Sequence, residues 1–249
     1  MPTFTSYWQN NIKGNRVRGH HARLKALENG LIKLGWERTE NSDADLALFD
    51  IFDEDYGIEM VRSSYAPVKV WIGNRSAQNL QKILMNESIN IYADQDWNSR
   101  GVVEVANNKY FVNAPIVDED FLDSIDKTNR EVADTTVLIP GGNKERFMEL
   151  VSKVLPMHWN RSDVVVVENM DREELMNLCF TAGAVYCTPS VVAMELFHLG
   201  IVVNLVLTSV DQIGNYINPQ NASYEGFSGN VEYLAKFINN YYHHKQEQK

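Results

Sequence analysis

The chain has 249 residues, 44% hydrophobic, 22% charged and 10% aromatic, with a net charge of −10. That length fits one large domain or two smaller ones with real apolar cores, and the acidity argues against indiscriminate nucleic-acid binding. No apolar run approaches the ~18 residues of a membrane span, and two cysteines, Cys179 and Cys187, are too few for a disulfide framework, so a reducing cytosol is the expected compartment.

The opening MPTFTSYWQNNIKGN has no charged start followed by an apolar run, so a secretory leader is not expected. PTFTSYW predicts a strand. His21 to Leu34 predicts a helix, with Leu24, Leu27, Leu31 and Leu34 at helical spacing and Gly35 as its stop. Just before it stands RGHH, with two of the six histidines side by side. Residues 1–42 carry seven Lys and Arg (Lys13, Arg16, Arg18, Arg23, Lys25, Lys33, Arg38) against three Glu, so the rest of the chain is acidic. A basic first lobe on an acidic protein suits an anionic acceptor; a solvated helix face explains it equally well.

ALFDIF predicts a buried strand and YGIEMVRSSY a helix; VKVWIG, SAQNLQKILMN and INIYAD predict strand, helix and strand. Asp53-Glu54-Asp55 has the form of an Asp-x-Asp cation site, although a solvated acidic loop is the simpler reading. The pattern weakens over residues 98–133, which read as a linker. Beyond it come TTVLIP (strand), NKERFMELVSKVLP (helix), SDVVVVEN (strand), DREELMNLCFTA (helix), AVYCT (strand), SVVAMELFHLG (helix), IVVNLVL (strand) and a last helix in GNVEYLAKFINNYYHH. His243 and His244 there lack metal-ligand spacing. The cysteines lie in apolar runs and read as core, and NAS at 221–223 as a chance glycosylation match.

Alternating strands and helices with near-continuous apolar strands predict an α/β chain of parallel sheets covered on both faces. Two lobes are expected, 1–130 and 131–249. Ligands of such sheets sit beyond the carboxyl ends of the strands, which singles out four loops: KGNRVRGHHAR, PGGNKER, CTPSVVAMEL and LTSVDQIGNYI. In the third, Thr188 suits an N-cap, Pro189 the first helical position and Gly200 the stop. Such a helix start presents N–H groups and a positive dipole end to a phosphate.

The order of these loops resembles the UDP-sugar hydrolase of pseudaminic acid biosynthesis and the related lipid II-forming N-acetylglucosaminyltransferase, both of the GT-B glycosyltransferase fold. The resemblance is carried by Gly19, His20, His21, Ala22 and Arg23 before the first long helix, by NAPIVDEDF at 113–121, by IPGGN at 139–143, by EELMNLCFTAGAVYCTPSVVAMELFHLGIVV, and by Asp211-Gln212. TPS stands where the family has a glycine-rich turn, and the family's closing asparagine is missing. The resemblance implies two Rossmann-like lobes around an interdomain cleft, with the first carrying the acceptor and the second binding a nucleotide sugar, a UDP-sugar above all.

By the same resemblance, Gly19 and Arg23 belong to the donor site, and Gly141, Gly142 and Asn143 face the phosphates. Thr188, Ser190 and Val191 meet the diphosphate, Glu195 the ribose hydroxyls, and Asp211 or Gln212 the sugar. His20 is the implied general base. At a helix N-terminus among arginines its imidazolium is disfavoured, and a neutral ring can take a proton from a nucleophile; His21 should point elsewhere. The expected reaction is inverting glycosyl transfer, with no cofactor and no obligatory metal. The acceptor stays open among a modified DNA base, a phosphosugar and a glycolipid. Two alternatives stand beside it: hydrolysis of the UDP-sugar by water, and nucleotide-sugar binding without turnover, which the TPS turn motivates.

Overall fold

A computed structural model describes residues 1–8, 11–12, 15–16, 18–51, 54–73, 88–94, 101–113, 117–126, 133–154, 163–168, 170–208 and 230–248. The chain forms two compact units. One holds Met1–Asp118 and, from the far end of the chain, Ser228–Lys249; the other begins at Glu119.

The first unit is built on strands β1 (Thr3–Trp8), β4 (Glu37–Arg38), β5 (Leu46–Asp50), β6 (Val68–Gly73), β7 (Ile91–Asp94), β8 (Gly101–Ala106) and β9 (Lys109–Asn113). They lie in the order β4-β1-β5-β6-β7-β9-β8, and every pairing is parallel except β8 with β9. A two-residue β2–β3 hairpin (Asn11–Ile12, Asn15–Arg16) stands outside this sheet. Helices α1 (Arg18–Lys33), α2 (Glu54–Ser63) and a long C-terminal helix complete the unit.

β5 is buried at all five positions because both of its faces are covered. Leu46 and Leu48 join the core formed with Leu24, Leu27 and Leu31 of α1, while Ala47 and Phe49 join a second core with Val61 and Trp71. Helix α1 ends at Gly35, which adopts φ +87°; the Leu34 and Trp36 amides both return to the Leu31 carbonyl. Gly57 of α2 lies directly on the buried Trp71 ring: a Cβ there would stand 2.3 Å from Cη2.

The linker expected over 98–133 is in part a β-hairpin. β8 and β9 pair antiparallel from Gly101↔Asn113 to Ala106↔Lys109, and Asn108 in the turn has φ +59°. Asparagine tolerates that left-handed conformation, and β9 joins the parallel sheet beside β7. Helix α3 (Glu119–Ser124) follows, in the second unit. The helix expected over SAQNLQKILMN lies outside the described residues.

The second unit has four parallel strands: β10 (Ala133–Ile139), β11 (Val164–Val166), β12 (Ala182–Cys187) and β13 (Val203–Leu205), ordered β11-β10-β12-β13. Helices α4 (Lys144–Val154), α5 (Arg172–Thr181) and α6 (Val191–His198) connect them. Leu138 of β10 packs beneath Phe147 and Val151 of α4.

The final helix, α7 (Asn230–Glu247), packs on α1 in the first unit, whereas the chain order had counted it with the 131–249 lobe. Its apolar residues recur with helical spacing, and Val231, Leu234, Ala235, Ile238, Tyr241 and Tyr242 are all buried. Polar ties fix its register: Trp36 Nε1 donates to Asn239 Oδ1 (3.0 Å) and Tyr242 Oη to Asp45 Oδ1 (2.9 Å).

Candidate functional site

β10 and β12 are neighbours in the second sheet, but their onward connections run in opposite directions, β10 to β11 on one side and β12 to β13 on the other. Right-handed crossovers then send α4 and α6 to opposite faces of the sheet. A crevice opens between the two loops at such a reversal of strand order, and it is where open α/β sheets take ligands.

The first loop is Pro140-Gly141-Gly142-Asn143. Gly141 has φ +63°, and a Cβ there would come within 2.5 Å of Thr188 Oγ1, in the second loop. Asn143 caps α4: its Oδ1 accepts from the Arg146 amide (3.2 Å) and its carbonyl from Phe147 (3.0 Å). Gly142 has open space around it. The structure therefore brings Gly141 to Thr188, with Gly142 and Asn143 next in the same loop.

In the second loop the cap is Ser190, with extended backbone and Oγ accepting from the Ala193 amide (3.4 Å). This corrects the assignment of the cap to Thr188. The Thr188 amide still bonds the Ile139 carbonyl (3.2 Å), prolonging the sheet contact, so the chain turns one step later. Thr188 is 5% exposed, and its hydroxyl makes no hydrogen bond within the described residues. Cys187 donates from Sγ to the Thr188 carbonyl (3.0 Å) and lies 3.7 Å from Ser190 Oγ. Burial pushes its thiol up to about 12, and burial with Cys187 nearby does the same to Cys179. Both stay neutral thiols that brace the fold and are poor nucleophiles. Val191 opens α6 with a buried side chain.

Glu195, on the second turn of α6, is 1% exposed. Its Oε1 is paired with Arg172, the first residue of α5, and the Arg172 guanidinium stacks 3.8 Å from the centre of the Phe121 ring on α3. As the chain stands, a ligand diol would meet a carboxylate already engaged by arginine. Sequence reading gave Arg172 no role and met Phe121 only as the end of NAPIVDEDF. DREEL marks a helix start, but nothing local announces a partner 23 positions away. At the start of α4, Lys144 pairs with Glu168 in the loop after β11.

Gly19, His20 and Arg23 belong to the first unit. The backbone of α1 is helical from Arg18, so Gly19 and His20 fall in its first turn rather than in the loop before it; the His20 side chain lies outside the described residues. Arg23 is buried and grips Asp50, at the end of β5, through both carboxylate oxygens: Nε to Oδ2 at 2.6 Å and Nη2 to Oδ1 at 2.5 Å. Its guanidinium is thus held by a carboxylate within the first unit.

The basic lobe is compensated locally as well. Lys25 meets Glu28 (3.4 Å), and Arg38 meets Glu28 (3.5 Å) and Glu40 (3.2 Å). The side chains of Lys13, Arg16 and Arg18 lie outside the described residues, as do Asp211, Gln212 and Asp53. Helix α2 begins at Glu54, with an exposed Asp55 next to it. Among the described residues no group of His, Cys, Asp or Glu is arranged to hold a metal ion, and no helix is long and apolar enough to cross a membrane.

No family model matches the sequence. No curated protein matches it either. Among solved structures the chain is similar to AviGT4, a glycosyltransferase involved in avilamycin A biosynthesis; the likeness covers 97% of each chain, with 11% identity and a TM-score of 0.40.

Proposed function

We propose that the second unit binds a nucleoside diphosphate-sugar, a UDP-sugar in the first instance, and that the protein transfers the sugar to an acceptor hydroxyl with inversion. One observation carries the reading. At the reversal of strand order, the starts of α4 and α6 flank a junction where the nearly buried Thr188 hydroxyl presses on Gly141 and has no partner among the described residues. Two helix starts and an uncommitted hydroxyl suit a diphosphate, whose oxygens accept hydrogen bonds. Charge developing on the departing diphosphate would be offset by the same groups, so the reading needs no metal.

The remaining roles come from the sequence pattern. His20 is the general base, and Asp211 and Gln212 contact the sugar. Glu195 reaches the ribose diol if Arg172 yields its hold. The Arg23–Asp50 pair anchors the helix that bears His20, one turn before Arg23.

The test is release of UDP from a panel of UDP-sugars, without acceptor and then with DNA, phosphosugar and lipid acceptors, alongside calorimetric titration with UDP. Release that requires one acceptor supports transfer. Steady release in water would make the protein a hydrolase, and UDP binding without release a binding protein. Thr188→Val should weaken UDP binding by about tenfold, the scale of one hydrogen bond to a charged group. His20→Ala should abolish turnover and leave UDP binding intact. Absence of UDP binding overturns the reading.

A further inference from the structure

A second cavity, of about 300 Å³, lies in the first unit and is independent of the nucleotide-sugar reading. It is lined by residues at the amino ends of β6, β7 and β9 and by the last turns of α7, at the opposite end of the parallel strands from the loops where α/β folds place their main site. Its size stands at the small end of ligand pockets, which span ~300–1,000 Å³, and suits a molecule of one ring.

The charged groups that line it are engaged. The Lys69 ammonium donates to the carbonyls of Val61 (2.6 Å) and Ser64 (2.7 Å) and to Ser88 Oγ (3.1 Å), as many bonds as an ammonium has hydrogens. Lys245 donates to the Pro67 carbonyl (2.6 Å) and lies 5.9 Å from the centre of the Tyr241 ring; Lys109 is engaged too. No Asp or Glu is among the described lining residues.

What is left for a ligand is neutral. The side-chain amides of Asn107 and Asn108, in the β8–β9 turn, and the Tyr65 phenol make no hydrogen bond among the described residues. Ser64, itself buried, accepts from the Ala66 amide (3.3 Å), and Ser88 accepts from Lys69; neither bond uses the serine's own hydrogen. Two amides and three hydroxyls thus line one space, and each can both give and take hydrogen bonds. The turn that carries the asparagines is held in place. Asn90 Nδ2 donates to Tyr241 Oη and Tyr241 Oη to the Asn108 carbonyl, both at 3.1 Å, so little ordering is left for a ligand to impose. Tyr65 is 81% exposed, and its ring adds an apolar face beside its hydroxyl.

We propose that this cavity binds a neutral carbohydrate unit, as a free monosaccharide or as the terminal residue of a glycan. A sugar ring carries several hydroxyls, each a donor and an acceptor, and so answers amides and hydroxyls in both directions. Its C–H face suits the Tyr65 ring. An anion would call on ammonium groups that already serve the protein.

Proton–nitrogen NMR of the full chain tests this, because the side-chain NH₂ signals of Asn107 and Asn108 report on the cavity itself. The probes are glucose, galactose, mannose and N-acetylglucosamine, each free and as its methyl glycoside, with inorganic phosphate as the anionic comparison. At least one sugar is expected to shift both signals and to saturate in the millimolar range. Tyr65→Ala and Asn107→Ala should each weaken that binding by about tenfold, with Asn108 as the remaining reporter in the second variant. Both positions are exposed, so neither change opens a hole in the core, and the rest of the spectrum shows that each variant is folded. Equal binding of the methyl glycoside assigns a glycan end; a requirement for the free anomeric hydroxyl assigns the monosaccharide. The proposal is overturned if no sugar moves the two signals at tens of millimolar, or if the shifts are confined to the second unit. It is equally overturned if the folded variants bind as the wild type does, or if phosphate moves the signals and the sugars do not.

Discussion

Arginine at position 23, which the family resemblance assigns to the donor site, has its guanidinium buried against Asp50. A buried, doubly bonded pair has a sharp asymmetry: removing one partner leaves the other charge buried and alone, at about 3–5 kcal/mol, whereas replacing both with well-packed apolar groups is often close to neutral. Arg23→Ala is therefore expected to destabilise the first unit by that amount, and Arg23→Met with Asp50→Leu to recover most of it, as read from urea denaturation. A double variant as unstable as the single one would mean that the pair contributes something packing cannot replace. The same lesson applies to Glu195 and Arg172. Sequence spacing shows which residues share a turn or a face; it carries no sign of a partner 27 or 23 positions away on another element. Residue types at the candidate site were therefore legible, and their through-space commitments were not.

Elements were easier to read where both their faces are covered. VKVWIG is predicted and observed as a strand over the same residues, all six of them buried, because an uninterrupted apolar run has few other fates in a layered α/β fold. The β8–β9 hairpin escaped notice for the opposite reason. Val103, Glu104 and Val105 are all exposed on an edge strand, so no buried face marks them, although Asn107-Asn108 between two β-branched runs is a recognisable turn signal. Among the loops, 140–143 makes the most demanding claim on its sequence. Gly141→Ala meets two obstacles: a left-handed φ costing about 1–2 kcal/mol in a residue with a side chain, and collision with Thr188 Oγ1. It should lower both the stability of the second unit and the affinity for UDP. Adding Thr188→Ala removes the atom in the way, so the double variant should regain part of the stability while UDP binding stays weak. Equal stability of single and double variants would show that φ alone sets the cost.

At the scale of the whole chain, the first unit is made from both ends of the sequence. Six buried apolar residues of α7, two of them tyrosines, close the core over α1 and β1, and their burial is worth roughly 1.5–3 kcal/mol for each large side chain. The sum is on the order of 10 kcal/mol, comparable to the entire stability of a typical domain. Local helical periodicity revealed the helix; nothing in it revealed which unit the helix serves, because an apolar stripe fits any complementary groove. Truncation before Asn230 should then act selectively. Hydrogen exchange is expected to show loss of protection throughout α1 and the strands it covers, while β10 and β12, whose cover comes from α4, α5 and α6, keep theirs. If α1 instead retains native protection without α7, the first unit must owe its stability to its sheet and α2, and the C-terminal helix is an accessory.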